Sequence, residues 1–151
     1  AGLGISRVGK RLATTLSIGA LVAFQAFRLP LEIVLHAWFR QGTIPEAMTW
    51  SGQNFDIVSG VVAAVCAPFA ARELRVAWFA NAVGIALLLN VMRVAAMSSP
   101  VPFGWHLDPP LQLAAHLPYS FIGPVCVGGA IFGHVVLTRS LWARRKARGS
   151  A

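Results

Sequence analysis

The sequence predicts an all-α, polytopic membrane protein, a bundle of four transmembrane helices with both termini in the cytoplasm. The 151 residues are 56% hydrophobic and 12% charged, and their mean hydropathy is +0.65, whereas soluble domains contain about 25% charged residues. Apolar segments near residues 12–39, 55–71, 76–97 and 111–137 predict the four helices. The chain is too short for several domains, so residues 1–151 are expected to form a single membrane domain.

The first apolar segment, about residues 12–39, is longer than the roughly 20 residues that a bilayer requires. We therefore expect this helix to tilt, bend or project beyond the membrane. Pro30 lies inside it and has no backbone N–H, which predicts a bend between Arg28 and Glu32. The basic residues 1–11 before the segment are expected to remain in the cytoplasm.

The second segment follows a loop, residues 40–54, that is rich in turn-forming residues. Asn54 is predicted to cap the second helix, and Asp56 then lies at the positive end of the helix dipole. This helix is short, and its small side chains favour close packing against other helices in lipid. A charged turn at residues 72–75 leads to the third helix.

The fourth segment follows a loop, residues 98–110, that contains four prolines. Asp108 and Pro109 together predict a helix start, with Asp108 as the cap and the proline in the first turn. We expect this helix to end near residue 137. Residues 138–151 are then expected to form a basic cytoplasmic tail.

The distribution of Lys and Arg predicts the orientation of the bundle. Eight of the 13 Lys and Arg lie near the two chain ends and two lie in the 72–75 turn, whereas the 40–54 loop has one and the 98–110 loop has none. Cytoplasmic segments are enriched in these residues, so both termini and the short turn are predicted inside and the two longer loops outside. The net charge of +8 then reflects topology, and we do not expect nucleic-acid binding.

Polar and ionisable side chains gather in the outward half of the predicted bundle. In the first helix Arg28, Glu32 and His36 are four residues apart and share one face. Ionisable groups at depth are costly and must face each other or a wet cavity, so we predict a polar pocket that opens to the periplasm. The candidate ligand-binding residues are Arg28, Glu32, His36, Asp56, Asn90, Arg93, His116 and Tyr119. The inner half has two polar exceptions, Asn81 and His134.

Structural interpretations of the same residues remain open. The spacing of Arg28 and Glu32 also suits an internal ion pair, and Glu32 is placed to fix the tautomer of His36. Arg93 is close enough to its helix end to extend outwards. His134 is expected to be structural.

Two motifs resemble those of an uncharacterised family of small bacterial membrane proteins with about four helices. They are Phe27-Arg28-Leu29-Pro30-Leu31-Glu32, an F-R-x-P-x-E pattern, and Gly52-Gln53-Asn54-Phe55-Asp56-Ile57, a G-x-N-F-D-I pattern. The likeness covers most of the chain. It implies a location in the bacterial inner membrane, and it implies no activity or substrate.

The function that these observations favour is binding or transport of a small molecule with an anionic group. Two arginines at depth suit an anion, and Glu32 with His36 suits proton transfer. The main alternative is a structural or accessory subunit, whose partner is a second copy or another membrane subunit. Small size and small-residue helix faces support that alternative.

Two cofactor hypotheses complete the alternatives. His36 and His116 are at similar predicted depth on different helices, as haem ligation in a bundle requires. Metal-assisted hydrolysis would use His36, His106, His116 and an acid. The sequence has no HExxH, G-x-S-x-G or phosphate-loop motif, so we assign no catalytic residue and no metal site.

Overall fold

The computed structural model describes residues 6–149, and its regular elements over that range are all helical, as predicted. Three segments are long and apolar enough to cross a membrane, namely Ile18–Arg40, Leu74–Ser98 and Tyr119–Ala147. A fourth apolar helix, Asp56–Ala70, has 15 residues. The described chain therefore has the helical content and the apolar segments of a membrane protein.

The described part of the chain contains six α-helices. They are α1 (Arg7–Thr15), α2 (Ile18–Phe24), α3 (Arg28–Arg40), α4 (Asp56–Ala70), α5 (Leu74–Ser98) and α6 (Gly128–Gly149). A 3-10 turn, Gln25–Phe27, joins α2 to α3, and a π-helical turn, Gly123–Val127, runs into α6. The bounds of α4 and α5 agree closely with the predicted helices at residues 55–71 and 76–97.

The first predicted helix, residues 12–39, starts too early. Residues 12–15 belong to α1, and a new helix begins after Ser17, whose Oγ accepts the backbone N–H of Ala20 at 3.1 Å. A serine at this position satisfies one of the free N–H groups of a helix start, which the apolar pattern does not reveal.

The irregularity predicted beside Pro30 lies slightly earlier in the chain. Pro30 is the third residue of α3, and the helix changes to a 3-10 turn at Gln25–Phe27, before Arg28. Pro30 has no N–H to donate to the carbonyl of Ala26, so the turn before it is not held in the α conformation. Arg28 therefore begins a new helical segment.

The prediction of the fourth helix, residues 111–137, is wrong at the start of the helix. Pro109 and Pro110 do not begin a helix there; the backbone N–H of Leu111 instead donates to the carbonyl of Ser98 at 2.8 Å. The chain thus folds back onto the end of α5, and this tertiary hydrogen bond overrides the local start signal of Asp108. Short 3-10 turns at Leu113–Ala115 and Tyr119–Phe121 follow.

The end of that helix also differs from the prediction, because α6 continues to Gly149. The expected tail, residues 138–151, is thus helical as far as the structure describes it. Its alanines, arginines and lysine are good helix formers, so the loss of apolar character at residue 137 does not end the helix.

Two apolar clusters stabilise the packing. The first joins buried side chains of α1, α2, α4, α5 and α6, including Leu21, Ala77 and Leu137. The second surrounds Leu35 and Val94 and includes side chains of the loops after α3 and α5. Along the α2–α3 segment and along α5, polar residues lie between the side chains of the first cluster and those of the second.

Helices α3 and α4 approach each other closely at Gly60, which is buried. A Cβ added at this position would lie 2.9 Å from the backbone nitrogen of Leu29 and 2.8 Å from its Cγ. Because one of these atoms is backbone, a side chain here requires the helices to separate. Gly60 is thus a position where the packing excludes a side chain.

Gly60→Ala is expected to lower the free energy of unfolding by about 1–3 kcal/mol, the usual cost of overpacking. Gly128→Ala is the matched control, because a Cβ there meets no atom within 4 Å and alanine favours helix. Denaturant unfolding in detergent micelles measures both variants. Equal stability of the two variants would contradict the close approach of α3 and α4.

Candidate functional site

Arg28 is buried at the meeting point of several helices, with 1% of its surface exposed. Its Nη1 forms an ion pair with Asp56 Oδ1 on α4, at 2.7 Å. The same nitrogen lies 2.8 Å from Ser59 Oγ and 3.2 Å from the carbonyl oxygen of Gly84 on α5. Ser59 Oγ in turn lies 2.8 Å from Asp56 Oδ1. One guanidinium nitrogen therefore connects α3, α4 and α5.

The second terminal nitrogen of Arg28 connects to α6. Its Nη2 lies 3.3 Å from Nε2 of His134. A guanidinium can only donate, so Nε2 accepts and the ring proton is on Nδ1. Nδ1 then donates to Asn81 Oδ1 at 2.9 Å, and Asn81 Nδ2 donates to Thr138 Oγ1 at 2.8 Å. Asn81 thereby fixes the orientation and tautomer of the histidine.

Gly84 makes room for this histidine. A Cβ at residue 84 would lie 2.5 Å from Cε1 of His134 and 2.9 Å from Nε2. The ring is also held through Nδ1 by Asn81, so it has little freedom to move away. The absence of a side chain at residue 84 is thus a condition for the contact between His134 and Arg28.

Glu32 lies one turn after Arg28 on α3, and it bonds to Asn54 rather than to the arginine. Asn54 Nδ2 donates to Glu32 Oε1 at 2.7 Å and to the carbonyl oxygen of Met48 at 3.0 Å. Asn54 Oδ1 accepts the backbone N–H of Asp56 at 3.2 Å. The amide of Asn54 therefore links Glu32 to the start of α4, next to the ion pair.

We call these connected side chains the polar network. Its members are Glu32, Asn54, Asp56, Ser59, Arg28, His134, Asn81 and Thr138. The sequence suited an ion pair between Arg28 and Glu32, but in the structure Arg28 pairs with Asp56. A carboxylate on another helix reaches the buried guanidinium, which spacing along one helix does not reveal.

A cavity of about 310 Å³ adjoins the polar network; we call it the main cavity because of this position and not because of its size. Its charged lining residues are Arg28, Glu32 and Asp56. Most of the remaining lining is apolar and comes from α3, α5 and the chain between residues 111 and 130, for example Phe27, Leu31, Leu88, Val91, Ile122 and Val127. The volume is at the lower end of the range of about 300–1,000 Å³ that is typical of small-molecule sites.

Irregular backbone forms one wall of the main cavity. Tyr119–Phe121 is a 3-10 turn and Gly123–Val127 is a π-helical turn, and both contribute lining residues. Pro124 lies in the π turn and cannot donate a backbone hydrogen bond. π-helical turns frequently occur at functional sites.

Two of the predicted site residues, Asn90 and Arg93, lie outside the polar network. Arg93 Nη2 donates to Gln53 Oε1 at 3.1 Å and to Asn90 Oδ1 at 3.0 Å, and its guanidinium carbon lies 5.6 Å from the centre of the Trp105 ring. Asn90 Nδ2 donates to the carbonyl of Gln53 at 2.7 Å. The half-buried Asn90 and the exposed Arg93 hold the two loops against α5 and do not line the main cavity.

The three remaining predicted site residues, His36, His116 and Tyr119, also lie outside the polar network. His36 is half-buried and stacks on Trp50, with 4.2 Å between ring centres and 14° between planes. His116 is exposed and lines a second cavity near the loop prolines. Tyr119 lines both cavities and packs edge-on against Trp38.

The surroundings of the histidines bear on the cofactor hypotheses. The structure places His36 against an aromatic ring and His116 in the second cavity, and haem ligation by the two stays a prediction. Within residues 6–149, no group of three or more His, Cys, Asp and Glu side chains is arranged to hold a metal ion.

Several members of the polar network were not predicted as site residues. His134 was expected to be structural, and Ser59 and Thr138 were not singled out for a site. One signal was available, because Asn81 and His134 are two polar residues in otherwise apolar segments. They lie on α5 and α6, and each is the kind of residue that a buried guanidinium requires.

Comparison with protein-family models, with curated proteins and with solved structures found no match. The resemblance of the two sequence motifs to a family of small bacterial membrane proteins therefore stays a prediction.

Replacing either partner of the Arg28–Asp56 pair alone is expected to cost about 3–5 kcal/mol of unfolding free energy, because the other charge remains buried and unpaired. The double variant Arg28→Met with Asp56→Leu is expected to cost less than the sum of the two single variants. Denaturant unfolding in micelles measures the three variants.

Arg93→Met is the control for these three variants. Arg93 is exposed, and exposed charges contribute at most about 1 kcal/mol. Strict additivity of the Arg28 and Asp56 substitutions would show that the two charges do not stabilise each other.

Proposed function

We propose that this protein is a four-span inner-membrane protein whose main cavity binds a small amphiphilic molecule from the periplasmic side. The observation that supports binding is the composition of the cavity. Its walls are largely apolar, and its three charged residues, Arg28, Glu32 and Asp56, belong to one hydrogen-bonded network. Such a site suits a ligand with an apolar body and one polar group.

The fourth span in this proposal is α4. At about 1.5 Å per residue, its 15 residues extend roughly 23 Å, less than the ~30 Å hydrocarbon core. Its exposed side chains are nevertheless apolar along one face, at Val58, Val61, Val65 and Phe69. A face of this kind suits lipid, and local thinning of the bilayer accommodates a short helix.

The orientation rests on the distribution of positive charge. With four spans, both termini and the turn at residues 72–75 lie in the cytoplasm, and the loops at residues 40–54 and 98–110 lie in the periplasm. Ser99 and Leu111, at the two ends of the second loop, line the main cavity. In this proposal the cavity lies near the periplasmic side, and the family resemblance supports the bacterial inner membrane as its location.

A structural or accessory role is the second candidate. It is favoured by the contacts of Arg28, because both terminal nitrogens of the guanidinium already bond to protein groups. In this case the polar network only holds the helices together. The partner would then be a second copy or another membrane subunit.

Native mass spectrometry of the protein released gently from its own membranes tests these two roles. We expect a reproducible extra mass on the wild-type protein. Ala96→Trp introduces a large side chain into the cavity wall and is expected to reduce the population that carries the extra mass at least about 10-fold, since a tenfold change corresponds to about 1.4 kcal/mol of binding.

Ala86→Trp is the matched control on the same helix. Ala86 is exposed and lies outside the cavity lining, so this variant is expected to keep the extra mass. Equal retention in the Ala96 and Ala86 variants would place the ligand elsewhere. A wild-type protein that has no small-molecule mass but is bound to a foreign subunit would favour the accessory role.

A further inference from the structure

Two buried polar atoms beside the main cavity have no hydrogen-bond partner among the described residues. They are Nε of Arg28 and Oε2 of Glu32. Both residues line the cavity, and they are one helical turn apart on the same face of α3. Buried polar atoms in native proteins are usually bonded, so this pair marks the incompletely bonded part of the polar network.

The other unpartnered atoms do not share this location. In the described chain they belong to Gln25, His36, Ser98 and Ser140, which lie outside the cavity lining. A donor and an acceptor on two cavity-lining residues are therefore left unpartnered, and the rest of the described lining has no other unpartnered buried side-chain N or O atom.

The charges beside the cavity disfavour an anionic ligand. Asp56 and Glu32 contribute two carboxylates and Arg28 contributes one guanidinium, so their formal sum is negative when all three are ionised. The charge of Arg28 is already paired with Asp56 at 2.7 Å. An anion would approach Glu32 with no unpaired cation nearby in the lining, which is unfavourable at low dielectric.

We propose that the ligand is an alcohol with a single long apolar chain, whose hydroxyl donates to Glu32 and accepts from Arg28; this proposal rests on the proposed function of the cavity. A hydroxyl both donates and accepts without carrying charge, whereas a carboxylate can only accept and an ammonium can only donate. Both atoms are covered in the structure, so the contact requires the side chains of Glu32 and Arg28 to turn toward the cavity; the χ3 torsion of Glu32 has a broad minimum. The alcohol completes the polar network at its two open atoms.

The lining of the main cavity is largely apolar, so a suitable probe has a long apolar chain. 1-Decanol, decanoate and decylamine are matched probes, since they share one ten-carbon chain and differ in the head group.

The experiment measures binding of the three probes to the full-length protein in nanodiscs, by isothermal titration and by native mass spectrometry. We expect 1-decanol to bind the wild-type protein at least about 10-fold more tightly than decanoate or decylamine, which is the scale of one hydrogen bond to a charged group. This comparison needs no variant, so it does not depend on whether a substituted protein folds.

Glu32→Gln provides the second measurement. The amide removes the negative charge and supplies a donor, so the preference for 1-decanol over decanoate is expected to fall about 10-fold or to reverse. Glu46→Gln is the matched control, because Glu46 is an exposed carboxylate outside the cavity lining. This control is expected to keep the wild-type preference.

The outcomes separate the two proposals. If decanoate or decylamine binds the wild-type protein as tightly as 1-decanol, the hydroxyl assignment is wrong and the cavity remains a binding site. If Ala96→Trp leaves all binding unchanged, or if no probe binds, the proposed function fails together with this inference. A Glu46 variant that changes the preference as much as the Glu32 variant also overturns the assignment.

Discussion

The buried ion pair between Arg28 and Asp56 is the interaction on which the packing of this bundle depends. An unpaired guanidinium is very unfavourable away from water, and removing one partner of such a pair leaves an uncompensated charge. Helices α4, α5 and α6 therefore each have to present an acceptor to α3. Asp56, Gly84 and His134 provide those acceptors, so one side chain constrains the relative positions of four helices.

The glycines of the interface follow from the same constraint. Gly84 leaves space for the ring of His134, and Gly60 lets α4 approach the beginning of α3 next to Arg28. A guanidinium reaches acceptors on three helices only if their backbones are close, and close approach in a membrane is achieved by small residues. These two glycines and the polar network are thus parts of one arrangement, although they are far apart in the sequence.

The sequence was sufficient for the class of fold and for α4 and α5, because apolar length and turn residues are local properties. It also grouped Arg28, Glu32 and Asp56, which the structure brings together beside one cavity. Depth gives no information about direction around the bundle axis, so Asn90 and Arg93 were assigned to the same pocket although they face the loops. The backward fold after Pro109 depends on a hydrogen bond to Ser98, which no local pattern contains.

The two roles proposed for the polar network make different demands on it. A network that only stabilises the bundle gains most when every buried atom is bonded, since partial satisfaction is costly at low dielectric. Here the bonds are complete on the side of His134 and incomplete at Nε of Arg28 and Oε2 of Glu32, the residues beside the main cavity. The two incompletely bonded residues also line the main cavity. The proposed binding role accounts for this arrangement, whereas a purely structural network gains no stability from it.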